Sequence, residues 1–110
     1  MKQTKSDLLQ GTLDLLILRV IAVEPLHGWA IANRIRLVSK EALQVQQGSL
    51  YPALHRLEHA GFIAAEWKSS ENGRRAKYYS LTETGRRKLD DERALWTKLS
   101  AGVALVLEEG

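Results

Sequence analysis

Arg74, Arg75 and Lys77 follow directly on the pair Asn72-Gly73. Three cations beside a tight turn can hold an anionic partner, phosphate groups in particular, but they lack the nucleophile and base that bond-breaking needs. A second constellation could do chemistry of its own. His55-Arg56-Leu57-Glu58-His59 matches the H-x-x-E-H pattern of inverted zinc peptidases, which puts two imidazoles at i and i+4 on one helical face. That spacing suits zinc. A third protein ligand would have to come from elsewhere in a small chain, however, and His59 falls at the end of its helix, just before Ala60-Gly61. The hydrolase reading therefore stands well behind the anion-binding one.

The distribution of charge points the same way. The net charge is only +3, yet residues 1 to 67 carry seven basic and six acidic groups, residues 68 to 88 seven and two, and residues 89 to 110 two and five. Basic side chains usually form a solvated face, but segregation this marked at a turn favours an anionic partner. With 110 residues, 45% of them hydrophobic, the chain makes one modest unit. It has no cysteine, which excludes disulfides, thiolate metal sites and a cysteine nucleophile. No glycine-rich phosphate loop follows a predicted strand, so no cofactor and no metal are expected. "MKQTKSDLL" lacks the apolar core of a signal peptide. "LDLLILRVIAV" is too short to span a bilayer and is interrupted by Asp14 and Arg19, so a cytoplasmic protein without membrane contact is expected.

The elements that must position these groups can be read in order. Residues 12 to 23 are apolar almost all round, with Thr12 as N-cap, and predict a helix buried on more than one side. After Glu24-Pro25, Ile31, Ile35 and Val38 recur at helical spacing, with Arg34 and Arg36 off that stripe. In the third helix Ser49 is the expected cap and Pro52 is expected in the first turn. Leu50, Leu54 and Leu57 form the inward stripe, and Gly61 ends it. Tyr51, His55 and Arg56 stay off the stripe. Two alternating strands then flank Asn72-Gly73, with both turn residues expected at positive φ. Ile63 shares a face with Trp67 on the first strand, and Tyr79 with Leu81 on the second. Thr82 caps a long last helix in which Leu89, Trp96 and Val103 alternate with Glu92, Leu99 and Val106 at seven-residue spacing, close to an a/d seam.

Three helices, a two-stranded basic hairpin and a seam-bearing helix make a mainly α fold with a small β-hairpin: a winged helix-turn-helix with a C-terminal dimerisation helix. Residues 1 to 83 would form the winged unit and residues 84 to 110 the dimerisation helix, in one compact body. The chain resembles the PadR family of transcriptional regulators over nearly its whole length, in "GTLDLLILRVI", "HGWAIANRI", "GSLYPALHRLEHAGFI", "ENGRRAKYYSLTETGRRKL" and "ERALW". The compact subgroup with one C-terminal helix is the nearest in form. This resemblance implies a homodimeric winged-helix protein on double-stranded DNA, commonly a repressor at a roughly palindromic operator. Some members release DNA on binding a small apolar or aromatic effector. Trp29 stands where the family more often has tyrosine, and its indole N–H replaces a hydroxyl donor.

The DNA-binding residues expected are thus Trp29, Ser49, Tyr51, Pro52, His55 and Arg56 from the second and third helices, with Arg74, Arg75 and Lys77 from the wing. Each has a plainer reading. Ser49 can serve as a cap alone, Tyr51 can pack on the second helix, and Tyr78 can cover the wing rather than stack on a sugar. The expected dimer contacts are Leu15, Leu16 and Leu18 of the first helix against Leu89, Trp96, Leu99, Val103 and Val106 of the last. Trp96 could line an effector cavity, although an aromatic at a seam position is more often interface core. The alternative class is a winged-helix protein-interaction module, which would carry a neutral or acidic third helix and wing.

Overall fold

The apolar first helix organises the whole chain. In a computed structural model that describes residues 10–109, α1 (Gln10–Val23) contributes Leu13, Leu15, Ile17, Leu18 and Ile21 to a single buried core. Helices α2 (Gly28–Val38), α3 (Gln47–His59) and α4 (Glu83–Glu109) all pack on it, as does the central strand β3 (Arg75–Leu81). The expectation of burial on more than one side therefore holds, and most of the cover comes from the same chain, while Val23 stays exposed. Thr12 lies inside the helix instead of capping it, because α1 is already helical at Gln10. The segment read as lacking a signal sequence lies outside the described residues.

A short strand β1 (Leu26–His27) follows, which the sequence did not announce. It pairs antiparallel with β3, Leu26 opposite Tyr79 and His27 opposite Tyr78, so the hairpin of β2 (Ile63–Ser69) and β3 becomes a three-stranded sheet in the order β1-β3-β2. Two residues are too few for a period-2 pattern to show. His27 also caps α2, its Nδ1 accepting the Ala30 N–H at 3.3 Å. Ile31 and Ile35 are buried as expected, but Val38 is 70% exposed at the end of its helix, beyond the reach of the core. The next turn holds Lys40 and Glu41 at φ 55° and 68°, a left-handed pair, with the Arg36 guanidinium on the Glu41 carboxylate at 3.1 Å.

Leu50, Leu54 and Leu57 of α3 face inward with Ala53. The helix begins at Gln47, with Gln46 as N-cap, so Ser49 is not the cap and Pro52 sits in the second turn. Pro52 can donate no bond to the Gly48 carbonyl. Both residues are exposed, so that carbonyl is open to solvent. The C-terminus closes as expected: Gly61 takes φ 85°, its N–H donates to the Glu58 carbonyl, and the Phe62 N–H reaches back to Leu57, each at 3.0 Å.

At the far end of the hairpin the Gly73 N–H donates to Ser70 and the Ser70 N–H to Arg74. Only Gly73, at φ 84°, uses the left-handed region, so the turn is a three-residue loop rather than the two-residue turn expected from Asn72-Gly73. Thr82 caps α4 as read, its Oγ1 accepting the Gly85 N–H at 2.9 Å and lying 2.7 Å from the Gly61 carbonyl. This knot ties the start of α4 to the end of α3. Gly85 is required there, because a Cβ would overlap the Phe62 carbonyl. Gly85→Ala should therefore lower stability by about 2 kcal/mol despite alanine's better helix propensity. Urea denaturation checks this; an unchanged midpoint would mean that α4 can lift away from Phe62 at no cost.

Candidate nucleic-acid interface

The buried stripe of α3 fixes which of its side chains can meet a partner. Gln47, Gly48, Ser49, Tyr51, Pro52 and His55 lie on the exposed side, concentrated in the N-terminal half. Tyr51 has both roles weighed for it: its ring lies across Gly28 at the start of α2, where a Cβ would fall 2.6 Å from its hydroxyl, and its outer edge remains exposed. Trp29, one residue further along α2, is exposed beside it.

The C-terminal half of α3 is occupied by its own protein. Arg56 donates to Asp14 of α1 at 2.8 Å, and Glu58 receives the Lys77 ammonium at 3.4 Å. Two residues expected on DNA, Arg56 and Lys77, are thus engaged within the chain, one bracing α3 against α1 and the other bracing the wing against α3. Spacing places a side chain off the buried stripe but cannot show which neighbouring helix meets it. Glu58 with its lysine also leaves the H-x-x-E-H pattern as an ordinary helix surface. Among the described residues no three histidine, cysteine or acidic side chains converge on a metal position.

Arg74 and Arg75 are in a different state. Both are exposed at the wing tip, and among the described residues neither has an ion pair. The Arg75 guanidinium lies over the Trp67 ring, 5.8 Å from its centroid. Tyr78 is half-buried on the wing, where it meets His27 edge-on at 5.2 Å and carries Lys68 at 4.9 Å over its ring. Trp67 is an exposed aromatic residue that the sequence pattern hides. It shares the inward face with Ile63 as the alternation says, but β2 runs past the end of the core, so the indole emerges 57% exposed.

The dimer candidates divide as well. Leu15 and Leu18 are buried in their own chain, and Leu89 is only 2% exposed, so these three belong to the protomer's core. Leu16 lies on the outer face of α1 with Val20 and Val23, two residues that the seam pattern does not reach. Trp96, Leu99, Val103 and Val106 are exposed on the half of α4 that leaves the body, where Leu95, Leu99, Val103, Val106 and Leu107 line an apolar groove.

A basic wing beside a half-exposed helix on a three-helix core defines a winged helix-turn-helix DNA-binding protein. Comparison with known proteins agrees. The profile of the PadR-like transcriptional regulator family matches residues 17–91, and the chain belongs to that family. It is 33% identical over 87 residues to a transcriptional regulator of Mycobacterium tuberculosis, covering 79% of this chain and 78% of that one. Among solved structures, a Streptococcus mutans protein superposes with a TM-score of 0.83 at 26% identity, covering 96% and 94% of the two chains. A PadR-like transcriptional regulator of Bacillus cereus gives 0.76 at 28%, covering 89% and 93%. The family is one of DNA-binding regulators, not enzymes. No helix among the described residues is long and apolar enough to cross a membrane.

The Asp14–Arg56 brace carries a pH signature. Burial pushes the Asp14 carboxyl above its usual 3.8, outweighing the charge and hydrogen bond of Arg56 that pull it down. With the folded value above the unfolded one, the contribution of this group to stability is complete below 3.8 and is lost as pH rises through the raised value. The stability of the native protein relative to Asp14→Asn should therefore increase as pH falls towards 3.8. Arg56→Ala should cost about 1–2 kcal/mol at neutral pH and push the Asp14 carboxyl higher still. Urea titrations of all three proteins at several pH values test the pair, and parallel pH profiles for native and Asp14→Asn would rule it out.

Proposed function

We propose that the protein is a homodimeric transcriptional repressor. It inserts the N-terminal half of α3 into the major groove and lays its wing tip along the adjacent backbone. The observation that carries this reading is the division between engaged and free groups. Arg74 and Arg75, which have no carboxylate partner among the described residues, and the open side chains Ser49, Tyr51, Pro52 and His55 lie on the wing and helix that flank one groove. Residues 1 to 83 act as the DNA-binding unit and residues 84 to 110 as the dimerisation helix. Leu99 is 55% exposed, on a helix face continuous with the buried Leu89, and a second copy of that face together with Leu16, Val20 and Val23 is its natural cover. Two-fold symmetry then requires two half-sites about 34–36 Å apart, in a roughly palindromic operator. Release by a small apolar or aromatic effector held against Trp96 belongs to the same proposal. The acting compartment is the cytoplasm.

The two DNA contacts separate by salt dependence. Arg74→Ala with Arg75→Ala should weaken binding to operator and random duplex alike, and make the log–log salt slope shallower by about 0.9 for each phosphate that is no longer neutralised. Alanine at Tyr51 or His55 should cost about 1–3 kcal/mol per base contact on operator only, with the slope kept. Footprinting upstream of the protein's own gene supplies the operator. Loss of operator preference in the arginine variant with an intact slope would mean that the wing reads sequence.

The dimer is tested separately. Leu99→Asp should be monomeric by sedimentation at micromolar concentration, because a lone carboxylate cannot be buried in an apolar seam. A dimeric variant would move the interface elsewhere.

A further inference from the structure

Asn72 and Gly73 stand at the wing tip, where both are exposed and neither belongs to the core. Asn72 has no part in the contacts assigned above, yet it lines the same cleft as Arg74 and Arg75. The Ser70 hydroxyl donates to the Asn72 side-chain oxygen at 2.6 Å and lies 2.8 Å from the Arg74 carbonyl, which folds the amide back over the turn. A carboxamide whose oxygen accepts a hydrogen bond is the better electrophile, because the charge that gathers there during attack is already partly stabilised. The nearest nucleophile is the backbone nitrogen of Gly73, which at φ 84° and without a Cβ has no side chain to shield it. One bond opposes the attack: the Gly73 N–H donates to the Ser70 carbonyl at 3.0 Å. At an exposed loop tip such a bond opens readily and slows the step by about tenfold at most. Asn33, the other asparagine of the chain, marks the contrast. It is half-buried inside α2, its side-chain oxygen accepts the Arg36 guanidinium at 2.7 Å, and the nitrogen that follows belongs to Arg34 in helical backbone.

We propose that Asn72 is a site of spontaneous deamidation, through which the wing loses affinity for DNA as the molecule ages. The Gly73 nitrogen gives its proton to solvent base and forms a bond to Asn72 Cγ. The bond from Cγ to the side-chain nitrogen breaks, and that nitrogen takes a proton and leaves as ammonia. The five-membered succinimide then takes up one water. Addition at Cγ opens the ring to aspartate, and addition at the backbone carbonyl opens it to isoaspartate, whose chain runs through the side chain. Water is the only co-reactant. Either product sets a carboxylate beside Arg74 and Arg75, and isoaspartate also adds a backbone atom to a three-residue loop, pulling the Gly73 N–H away from Ser70. A guanidinium paired with the new carboxylate no longer neutralises a phosphate. The effect on DNA rests on the DNA-binding reading, whereas the reaction does not.

The full chain is held at about pH 8 and 37 °C for about two weeks and sampled by peptide mass mapping. The Asn72 peptide should gain about one dalton and split into two chromatographic forms, while the Asn33 peptide stays unchanged. The rate should rise with hydroxide concentration, and Asn72→Gln should show no gain. On a random-sequence duplex of about 20 base pairs at about 0.15 M salt, aged protein should bind about tenfold more weakly than fresh, with a log–log salt slope shallower by up to about 1.8, one phosphate per protomer of a dimer. Asn72→Asp should reproduce most of this loss when fresh, and aged Asn72→Gln should keep the affinity of the fresh variant. An Asn72 peptide that converts no faster than the Asn33 peptide overturns the proposal. Conversion that leaves duplex affinity unchanged overturns the loss of function. Fresh protein without affinity for any duplex overturns the DNA-binding reading and leaves the chemistry at Asn72 standing. The mass shift is read on the unsubstituted protein, so it does not depend on any variant folding.

Discussion

Everything in this structure leans on α1. A helix of 14 residues is about 21 Å long, and this one is apolar on nearly every side, so it is stable in water only when surrounded. Its burial of Ile17 and Leu18, each contributing about 1.5–3 kcal/mol, is achieved by wrapping α2, α3, α4 and β3 around it. Those four elements are therefore positioned relative to one rod. Helix α3 and the helix that leaves the body share the same support, and Asp14, in the N-terminal half of that rod, is where α3 is pinned by charge as well as by packing.

The second constraint is the corner where α3 ends and α4 begins. Gly61 in the left-handed conformation lets the chain reverse out of α3, Thr82 closes on the Gly61 and Phe62 carbonyls, and Gly85 permits the close backbone approach. With both ends of the hairpin fixed at that corner, its length decides what overhangs. The strands are seven residues each, and the core covers only the first few positions of β2. The remainder, with Trp67, Lys68, Arg74 and Arg75, projects past the body. The wing is thus the part of a sheet that outruns its core, and its chemistry is set by what the sequence places there.

Charge is distributed by the same geometry. Arg56 and Lys77 are of the same chemical types as Arg75 and Lys68, but they lie where α3 meets α1 and β3, within reach of Asp14 and Glu58. A largely exposed pair such as Lys77–Glu58 adds little to stability, yet pairs of this kind orient long side chains and so affect which cations remain free for a partner. A cation committed to a carboxylate contributes less to counterion release than a free one, so the count of basic residues overstates the electrostatic footprint on nucleic acid.

Much of this could be read from the order of residues. The three helices, the inward stripe of Leu50, Leu54 and Leu57, the Gly61 stop, the Thr82 cap and the long last helix are local or periodic signals, and a chain's own propensities and spacings suffice to set them. The family resemblance was legible for the same reason: its motifs are contiguous. The sequence did not determine how far each face extends before the core runs out. Val38 and Trp67 continue a buried pattern into solvent, while Leu15, Leu18 and Leu89, read as surfaces for a second chain, are filled by their own. Nor did it determine the partners of Arg56 and Lys77, or the pairing of Leu26 and His27 with β3. Periodicity assigns a side chain to a face; whether that face meets protein, water or a carboxylate 42 residues away depends on the three-dimensional packing, and only the tertiary structure decides it.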